Sequence, residues 1–184
     1  MSATFTKLIS ADEFQSMPGG DRPRELVRGR IVELDFGVLR HGQVCAKTVS
    51  LIGRYLDEEN TGHLLCNDVG FQTQHNPDTV RRMDVAFLSY SRYPKGPLPD
   101  EMMPAAPNLV LEVASPSDPW SRLILKSAEY LEAGVDVVCV LDPVHEVISV
   151  FRPDTPPQCL QSDDEFHVGD VLPGFHALVR RFFE

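Results

Sequence analysis

The stretch NLVLEVASPSDPWSRLILKSAEYLEAGVDVVCVLD, residues 108–142, decides the fold class of this chain. It contains two short, continuous apolar runs separated by a segment with the composition of a helix. Continuous apolar runs are typical of strands that are buried on both faces, and a strand–helix–strand order indicates a sheet covered by helices. HEVISVFRP, residues 145–153, alternates after a turn and adds one more strand. The second half of the chain therefore predicts the order β, α, β, β.

The predicted helix between the two apolar runs has recognisable ends. We expect Asp118 near its N-cap, Pro119 in its first turn and Gly134 just after its end. We expect four residues to form much of the apolar surface of this helix: Leu123, Ile124, Leu125 and Leu131. This surface would pack the helix against the predicted sheet.

The first half of the chain predicts two helices and two hairpins. Residues 10–17 carry a capping-box pattern, with Ser10 as N-cap and Glu13 three positions later. Residues 25–38 and the pair 64–74 with 80–90 have the strand–turn–strand pattern of hairpins. Between them, apolar positions in residues 41–60 recur at spacings of three and four, which indicates an amphipathic helix. The Pro-rich segment 91–107 is expected to be a long loop.

Length and composition favour one folded domain. The chain has 184 residues, 42% of them hydrophobic and 24% charged, and we expect a single domain over residues 1–184, with its core at about 22–152 and a C-terminal tail at 153–184. The N-terminus lacks the apolar run of a secretory signal, and no stretch is long and apolar enough to span a membrane. We therefore expect a cytoplasmic protein without a membrane partner.

The charge and the cysteines narrow the function classes. A net charge of −10 argues against a general nucleic-acid coat, since a polyphosphate would need a local basic patch or metal ions. The four cysteines lie far apart without a CxxC pair, so we expect free thiols, mostly buried, rather than a disulfide framework or a zinc ribbon. A further metal-like spacing, His63 with Cys66, lacks a second pair and is more often coincidence.

Two acids interrupt apolar strands. Glu112 lies within LVLEVA and Asp84 within MDVAFL, where an unpaired buried carboxylate would be destabilising by about several kcal/mol. If the two strands are neighbours, the carboxylates approach each other and repel unless a cation lies between them, and magnesium is the natural oxygen-ligated candidate. Alternatively, one acid faces solvent and the other pairs with Arg81 or Arg82.

Lys126 follows Glu112 on the predicted helix. Its ammonium would reach back over the strand end, where it could orient a water or stabilise a developing phosphate charge. The alternative is a lysine that extends into solvent from a polar helix face, which is the commoner case.

The order of these segments resembles the PD-(D/E)XK nuclease superfamily, and specifically its Uma-two family of putative restriction endonucleases. The resemblance runs over most of the chain and rests on several segments together: ELVRGRIVEL, His41, PDTVRRMDVAFLS, APNLVLEVASPSD, KSAEYLEAGVDVVCVLDP and GDVLPGF. It implies an α/β, restriction-endonuclease-like core, with a mixed central β-sheet flanked by helices and an N-terminal β-hairpin extension. It also implies an endonuclease that hydrolyses phosphodiester bonds in DNA.

The resemblance also implies the site residues. Asp84 and Glu112 correspond to the metal-binding acids, the backbone carbonyl of Val113 to a further ligand, Lys126 to the catalytic lysine and Glu25 to an assisting N-terminal acid. The expected metal is Mg²⁺, with Mn²⁺ as a substitute. Two positions depart from the superfamily signature. Ala114 stands where the simple pattern has its lysine, and Met83 replaces the proline, which affects local strand geometry rather than ligands.

Other readings of the sequence stay open. The scaffold could belong to a catalytically silent binding or interaction protein, or to a nuclease that acts on short RNA or nucleotides. The arginines at positions 22, 24, 28, 30, 81 and 82 could hold a phosphate backbone or balance local acids. The family tends to form homodimers, and Phe175, Phe182 and Phe183 look exposed, so they would pack on this chain or on a partner.

Overall fold

The strand–helix–strand unit of residues 108–142 forms the centre of the fold. The computed structural model describes residues 7–116 and 118–184. In it, β5 (Leu109–Val113) leads through α3 (Trp120–Glu132) to β6 (Val137–Asp142), and β5 and β6 pair in parallel. The antiparallel strand β7 (Val147–Phe151) follows, as predicted. Residues 1–6 and Ser117 lie outside the described residues. The prediction that the N-terminus carries no secretory signal falls partly on these first six residues.

The first half contributes the elements that the pattern predicts. They are α1 (Ala11–Ser16), β1 (Arg24–Val27), β2 (Arg30–Glu33), α2 (Leu39–Glu59), β3 (Gly62–Gln74) and β4 (Thr79–Ser89). The predicted capping box is present, because the Ser10 side chain accepts from the Glu13 amide and Glu13 accepts from the Ser10 amide. Four buried residues at spacings of four, Val44, Thr48, Ile52 and Leu56, form the inner face of α2. Asn60 ends that helix in a left-handed conformation.

One mixed sheet of eight strands joins both halves. Its order is β2-β1-β4-β5-β6-β7-β8, where β8 spans Gln158–Leu160. Strand β3 also pairs with β4, along the edge opposite to the one that β1 and β5 contact. Helix α2 covers one face of the sheet and α3 covers the other, and each helix packs on its own cluster of buried apolar side chains. The sheet is therefore the middle layer, and the N-terminal hairpin β1–β2 extends it at β4.

The C-terminal segment packs into the layer that contains α2. Strands β9 (Glu165–Phe166) and β10 (Ala177–Leu178) pair with each other, and a 3-10 helix follows at Val179–Phe182. Phe175, Phe182 and Phe183 are buried in this chain's own core. Of the two alternatives, packing on this chain therefore holds, because β10 and the 3-10 helix turn the rings inward.

The structure corrects three details of the sequence analysis. Pro119 occupies the N-cap of α3 without a side-chain cap, and the Asp118 carboxylate accepts from the Ser115 amide instead. Ile124 and Leu125 are exposed, so the apolar face of α3 rests on fewer side chains than predicted. All four cysteines are free as expected, but only Cys139 is buried.

Among the described residues, no helix combines the length and apolarity that crossing a membrane requires.

Candidate functional site

The candidate site lies where the sheet is interrupted. Strands β1 and β5 both pair with the edge of β4 opposite β3, β1 at Val80 and β5 at residues 85–87. Within the part of the chain that the structure describes, residues 81–84 of β4 therefore have no strand partner on that edge. Side chains satisfy the Arg82 backbone there: its amide donates to Glu25 Oε1 over 3.1 Å, and its carbonyl accepts from Lys126 Nζ over 2.9 Å. At this gap, ionisable side chains make the hydrogen bonds that the backbone of a neighbouring strand would otherwise make.

Glu112 faces α3 from the neighbouring strand and is 6% exposed. Its Oε1 accepts from the Tyr130 hydroxyl over 2.8 Å, and its Oε2 accepts from Lys126 Nζ over 2.9 Å. Burial raises the pKa of Glu112 to about 7; the nearby Asp84 charge adds to the rise and the Lys126 ammonium opposes it. The alternative in which a strand acid pairs with an arginine does not hold for Glu112, since its partners are a lysine and a tyrosine.

Lys126 is enclosed rather than solvated. Its ammonium lies 2.9 Å from Glu112 Oε2 and 3.2 Å from Glu25 Oε1, and its side chain is 12% exposed. The alternative of a lysine that extends into solvent is therefore wrong. Burial acts to lower the pKa of Lys126, but the attraction of Glu112 and Glu25 outweighs it and the pKa lies above its usual value. The ammonium is thus charged and fixed at the centre of the site.

Glu25 joins Lys126 to a second buried cation. Its Oε2 accepts from Arg81 Nη1 over 2.9 Å, and Arg81 also donates twice to Glu129 of α3, over 2.9 and 2.7 Å. Burial acts to raise the pKa of Glu25, but Lys126 and Arg81 outweigh it and the net shift is downward. Of the two readings of the arginine cluster, the balancing of local acids holds for Arg81, which is not free to contact a phosphate.

Asp84 lies on the side of the gap that faces α2. Its Oδ2 accepts from the Val113 amide over 2.8 Å and lies 3.2 Å from His41 Nε2. The hydrogen bond with Asp84 is the main cause that raises the pKa of His41 to about 10. Since the N–H and C=O of one strand residue point to the same side, the Val113 carbonyl also faces the β4 edge. The arginine pairing proposed as an alternative does not hold for Asp84 either.

All five predicted site residues line one cleft of about 360 Å³: Glu25, Asp84, Glu112, Val113 and Lys126. Their placement together agrees with the predicted neighbouring of the two acid-bearing strands, β4 and β5. The rim carries Arg82 and Arg122, whose side chains are about one third and two fifths exposed. The cleft therefore combines an acidic floor with cations at its mouth.

The donors in the cleft fit a hard divalent cation. Two carboxylates and a backbone carbonyl offer oxygen ligands, the set that Mg²⁺ and Mn²⁺ prefer. The Asp84 charge adds to the upward shift of the Glu112 pKa, which burial causes in the main, and like charges that line one cleft repel each other. A cation between Asp84 and Glu112 would relieve this repulsion.

Three contributors were not assigned a role from the sequence: His41, Cys45 and Tyr130. His41 and Cys45 are one turn apart on α2, and Tyr130 is one turn after Lys126 on α3. The four-residue spacing from Lys126 is a signal that could have identified Tyr130 as sharing its helix face. Nothing in the local sequence connects α2 with Asp84, because that contact depends on how the helix crosses the sheet.

Known proteins resemble this chain in fold and in family pattern. No curated protein matches its sequence significantly. The crystal structure of a nuclease from Anabaena variabilis, described as putative and as belonging to DUF820, has a TM-score of 0.82 and 19% identity, and the match covers 95% of this chain and 97% of that one. This likeness confirms the predicted α/β fold with its mixed central sheet. The family described as "Putative restriction endonuclease", Uma2, matches residues 11–180, and the chain therefore belongs to the Uma2 (Uma-two) family.

Proposed function

We propose that this chain is a divalent-metal-dependent endonuclease that hydrolyses phosphodiester bonds in DNA. The observation that carries the proposal is the convergence of Asp84, Glu112 and Lys126 on the gap along β4. Two carboxylates that repel each other and a fixed ammonium beside them are the groups that metal-assisted phosphodiester hydrolysis requires. Membership of a family of putative restriction endonucleases supports the same class of reaction.

In this proposal Asp84 and Glu112, together with the Val113 carbonyl, hold Mg²⁺ or Mn²⁺. When bound, such an ion polarises the phosphate and lowers the pKa of a coordinated water. Glu112 is prepared for this role because Tyr130 fixes its Oε1, which leaves the oxygen that faces Lys126 and the cleft. The Val113 amide likewise fixes Asp84 at the strand edge.

Lys126 is the proposed catalytic lysine. Its ammonium is held by the Arg82 carbonyl and by Glu25, so it stays in place even when Glu112 turns toward a metal ion. From that position it orients the attacking water and offsets the charge that develops on the phosphate. Glu25 is a positioning residue, since it acts on the reaction through Lys126.

DNA is the proposed substrate because cations line the path that leads to the cleft. A second cleft of about 480 Å³ shares Pro23, Asp68 and Arg82 with the first. It also carries Arg22 and Arg24 beside Asp21, so a phosphate backbone that enters the site would pass these arginines. Because the net charge is −10, a polyanion would need such local cations to approach the chain.

The test combines metal binding with DNA cleavage. Magnesium and manganese are titrated calorimetrically into wild type, Asp84→Asn, Glu112→Gln and Lys126→Met, and the same proteins are incubated with supercoiled plasmid, single-stranded DNA and RNA. Glu58→Gln is the control, because Glu58 is an exposed acid near the end of α2. We expect both acid variants to lose metal binding and nicking, Lys126→Met to lose nicking while it still binds metal, and the control to retain both.

Two results would overturn the proposal. If Asp84→Asn cuts plasmid as well as wild type, the assigned metal site is wrong. If wild type binds neither ion, the acids serve the fold, and the chain is a binding or interaction protein on a nuclease scaffold. Cleavage of RNA in preference to DNA would instead change the substrate and keep the site.

A further inference from the structure

His41, Cys45 and Asp84 form a second cluster of metal-ligating side chains beside the acidic cleft. His41 and Cys45 extend from the same face of α2, and the His41 ring lies between the thiol and the Asp84 carboxylate. His41 Nε2 is 3.2 Å from Asp84 Oδ2, and Cys45 Sγ is 3.6 Å from His41 Nδ1. One donor atom from each side chain lies within 4.8 Å of the other two.

The three side chains are grouped at about the scale of a zinc site, although the 3.2 and 3.6 Å separations run to different nitrogens of the His41 ring. Ligand atoms about 2.0 to 2.3 Å from a zinc ion, at the corners of a tetrahedron, are about 3.3 to 3.7 Å apart. The histidine ring offers one nitrogen to an ion, so a rotation of the ring and of the thiol would bring the three donors to three corners. A water would complete the fourth corner, as in zinc sites with three protein ligands.

The chemistry of the donors separates this cluster from the magnesium site. Imidazole and thiolate select zinc and similar transition-metal ions, whereas carboxylates and carbonyls suit magnesium and manganese. Cys45 has no part in the proposed hydrolysis, yet it lines the same cleft. Asp84 is the one ligand that the two sites would share.

His41 already connects Asp84 and Cys45 at this position. Its Nε2 lies 3.2 Å from Asp84 Oδ2, and its side chain is only 17% exposed. A zinc ion would take the place of the thiol proton of Cys45 and of any proton on the ring nitrogen that it binds, and these protons would leave to solvent. The Asp84 carboxylate and the Cys45 thiolate would balance the charge of the ion.

We propose that His41, Cys45 and Asp84 bind a zinc-class transition-metal ion, and that this ion withdraws Asp84 from the magnesium site and inhibits the nuclease. The inhibition rests on the proposed function, but binding of the ion does not. A chain with this arrangement would cut only where free zinc is scarce enough for magnesium to hold Asp84.

Cobalt is the probe for the site, since a cobalt–thiolate bond has a charge-transfer absorption in the ultraviolet and tetrahedral cobalt absorbs in the visible. Reduced, metal-free wild type, Cys45→Ser and His41→Gln are titrated with Co²⁺, and zinc affinity is measured by competition with a chromophoric chelator. Cys66→Ser is the matched control, because Cys66 is an exposed thiol with its own histidine three residues away. Thermal melts establish that each variant is folded.

We expect wild type and Cys66→Ser to bind one cobalt with the thiolate absorption, and Cys45→Ser to lose that absorption. Zinc affinity should fall by about a hundredfold or more in Cys45→Ser and His41→Gln, because loss of an outer partner alone weakens metal binding by about ten- to a hundredfold. If the absorption is absent from wild type or survives in Cys45→Ser, the site does not exist.

The two proposals fail in different ways. If zinc-loaded wild type no longer binds magnesium calorimetrically, while zinc leaves magnesium binding by Cys45→Ser intact, the sharing of Asp84 is supported. If wild type forms the cobalt–thiolate site but neither binds magnesium nor cuts DNA, the proposed nuclease is wrong and the zinc site stands. If wild type binds magnesium and cuts DNA with no response to zinc, the inference of this subsection is wrong and the nuclease stands.

Discussion

Replacement of Glu25 by glutamine tests the central charge network. Glu25 is 1% exposed and lies between Arg81 and Lys126, with the Arg82 amide as a further donor. Glutamine keeps the size of the side chain and one carbonyl oxygen. It replaces the other oxygen by an NH₂ group. This group is a hydrogen-bond donor, so it cannot accept from the neighbouring cation, which is also a donor. We expect the Glu25→Gln protein to fold but to be substantially less stable than wild type.

The expected loss is about 3 kcal/mol in the free energy of unfolding at pH 7. Removal of one partner from a buried ion pair destabilises a protein by about 3 to 5 kcal/mol. The lower end applies here because each cation keeps another carboxylate: Arg81 keeps both bonds to Glu129, and Lys126 keeps its bond to Glu112. The loss remains large because two buried cations then share fewer negative charges.

The loss should also depend on pH in one direction. The folded state lowers the pKa of Glu25 by its attraction to Lys126 and Arg81, against the opposing effect of burial. A carboxyl with a lowered pKa stabilises the fold above its unfolded pKa of about 4.3, and this stability disappears as the pH falls through the folded pKa. The difference between wild type and Glu25→Gln should therefore be largest near neutral pH and shrink in acid.

Urea unfolding followed by far-ultraviolet circular dichroism measures this difference at several pH values. Glu33→Gln is the control, because Glu33 lies on the partner strand of the same hairpin and is exposed. A control with nearly wild-type stability is expected. A loss below about 1 kcal/mol in Glu25→Gln, or one that is the same at pH 7 and at acid pH, would refute the view that ionised Glu25 holds Arg81 and Lys126 together.

Three further substitutions test other contacts. In Tyr130→Phe, Glu112 Oε1 loses its buried hydrogen-bond donor. This variant should need a higher Mg²⁺ concentration for half-maximal binding, and its free energy of unfolding in urea should fall by about 1 to 3 kcal/mol. Unchanged magnesium binding would contradict this role of Tyr130. Gly62→Ala should be destabilising by about 1 to 3 kcal/mol, measured by thermal melting, since its Cβ would lie 2.5 Å from the Leu88 carbonyl oxygen. Phe182→Ala should be destabilising by about 3 to 5 kcal/mol by urea unfolding, because that ring is fully buried; a wild-type midpoint would mean that the C-terminal segment is not part of the core.

Much of the fold could be predicted because buried positions give the sequence a periodic pattern of apolar residues. The unbroken apolar runs of β5 and β6 and the four-residue spacing of α2 identify their elements without knowledge of any distant residue. Errors arose where distant contacts decide exposure. Leu125 has the side chain of a core residue, yet it lies on the outer face of α3 and is 70% exposed.

The candidate site divides in the same way. Carboxylates at Asp84 and Glu112 stand out because each interrupts an apolar strand, and the resemblance to a nuclease superfamily added Lys126, Glu25 and Val113. The His41 and Cys45 contacts could not be predicted, because α2 and β4 are separated by the whole of β3 in the chain. Their approach to Asp84 depends on where the helix crosses the sheet.

The sequence by itself determined the order of the elements from α1 to β7, the position of two acids within apolar strands and the acidic balance of the chain. Only the tertiary structure decided that β1 and β5 pair with the same edge of β4 and leave a gap between them. Strand pairing joins residues far apart in the chain, and its register is set by packing over the whole sheet rather than by local propensity. That gap gives Arg82 its side-chain partners and brings Glu25, Lys126 and the two acids into one cleft.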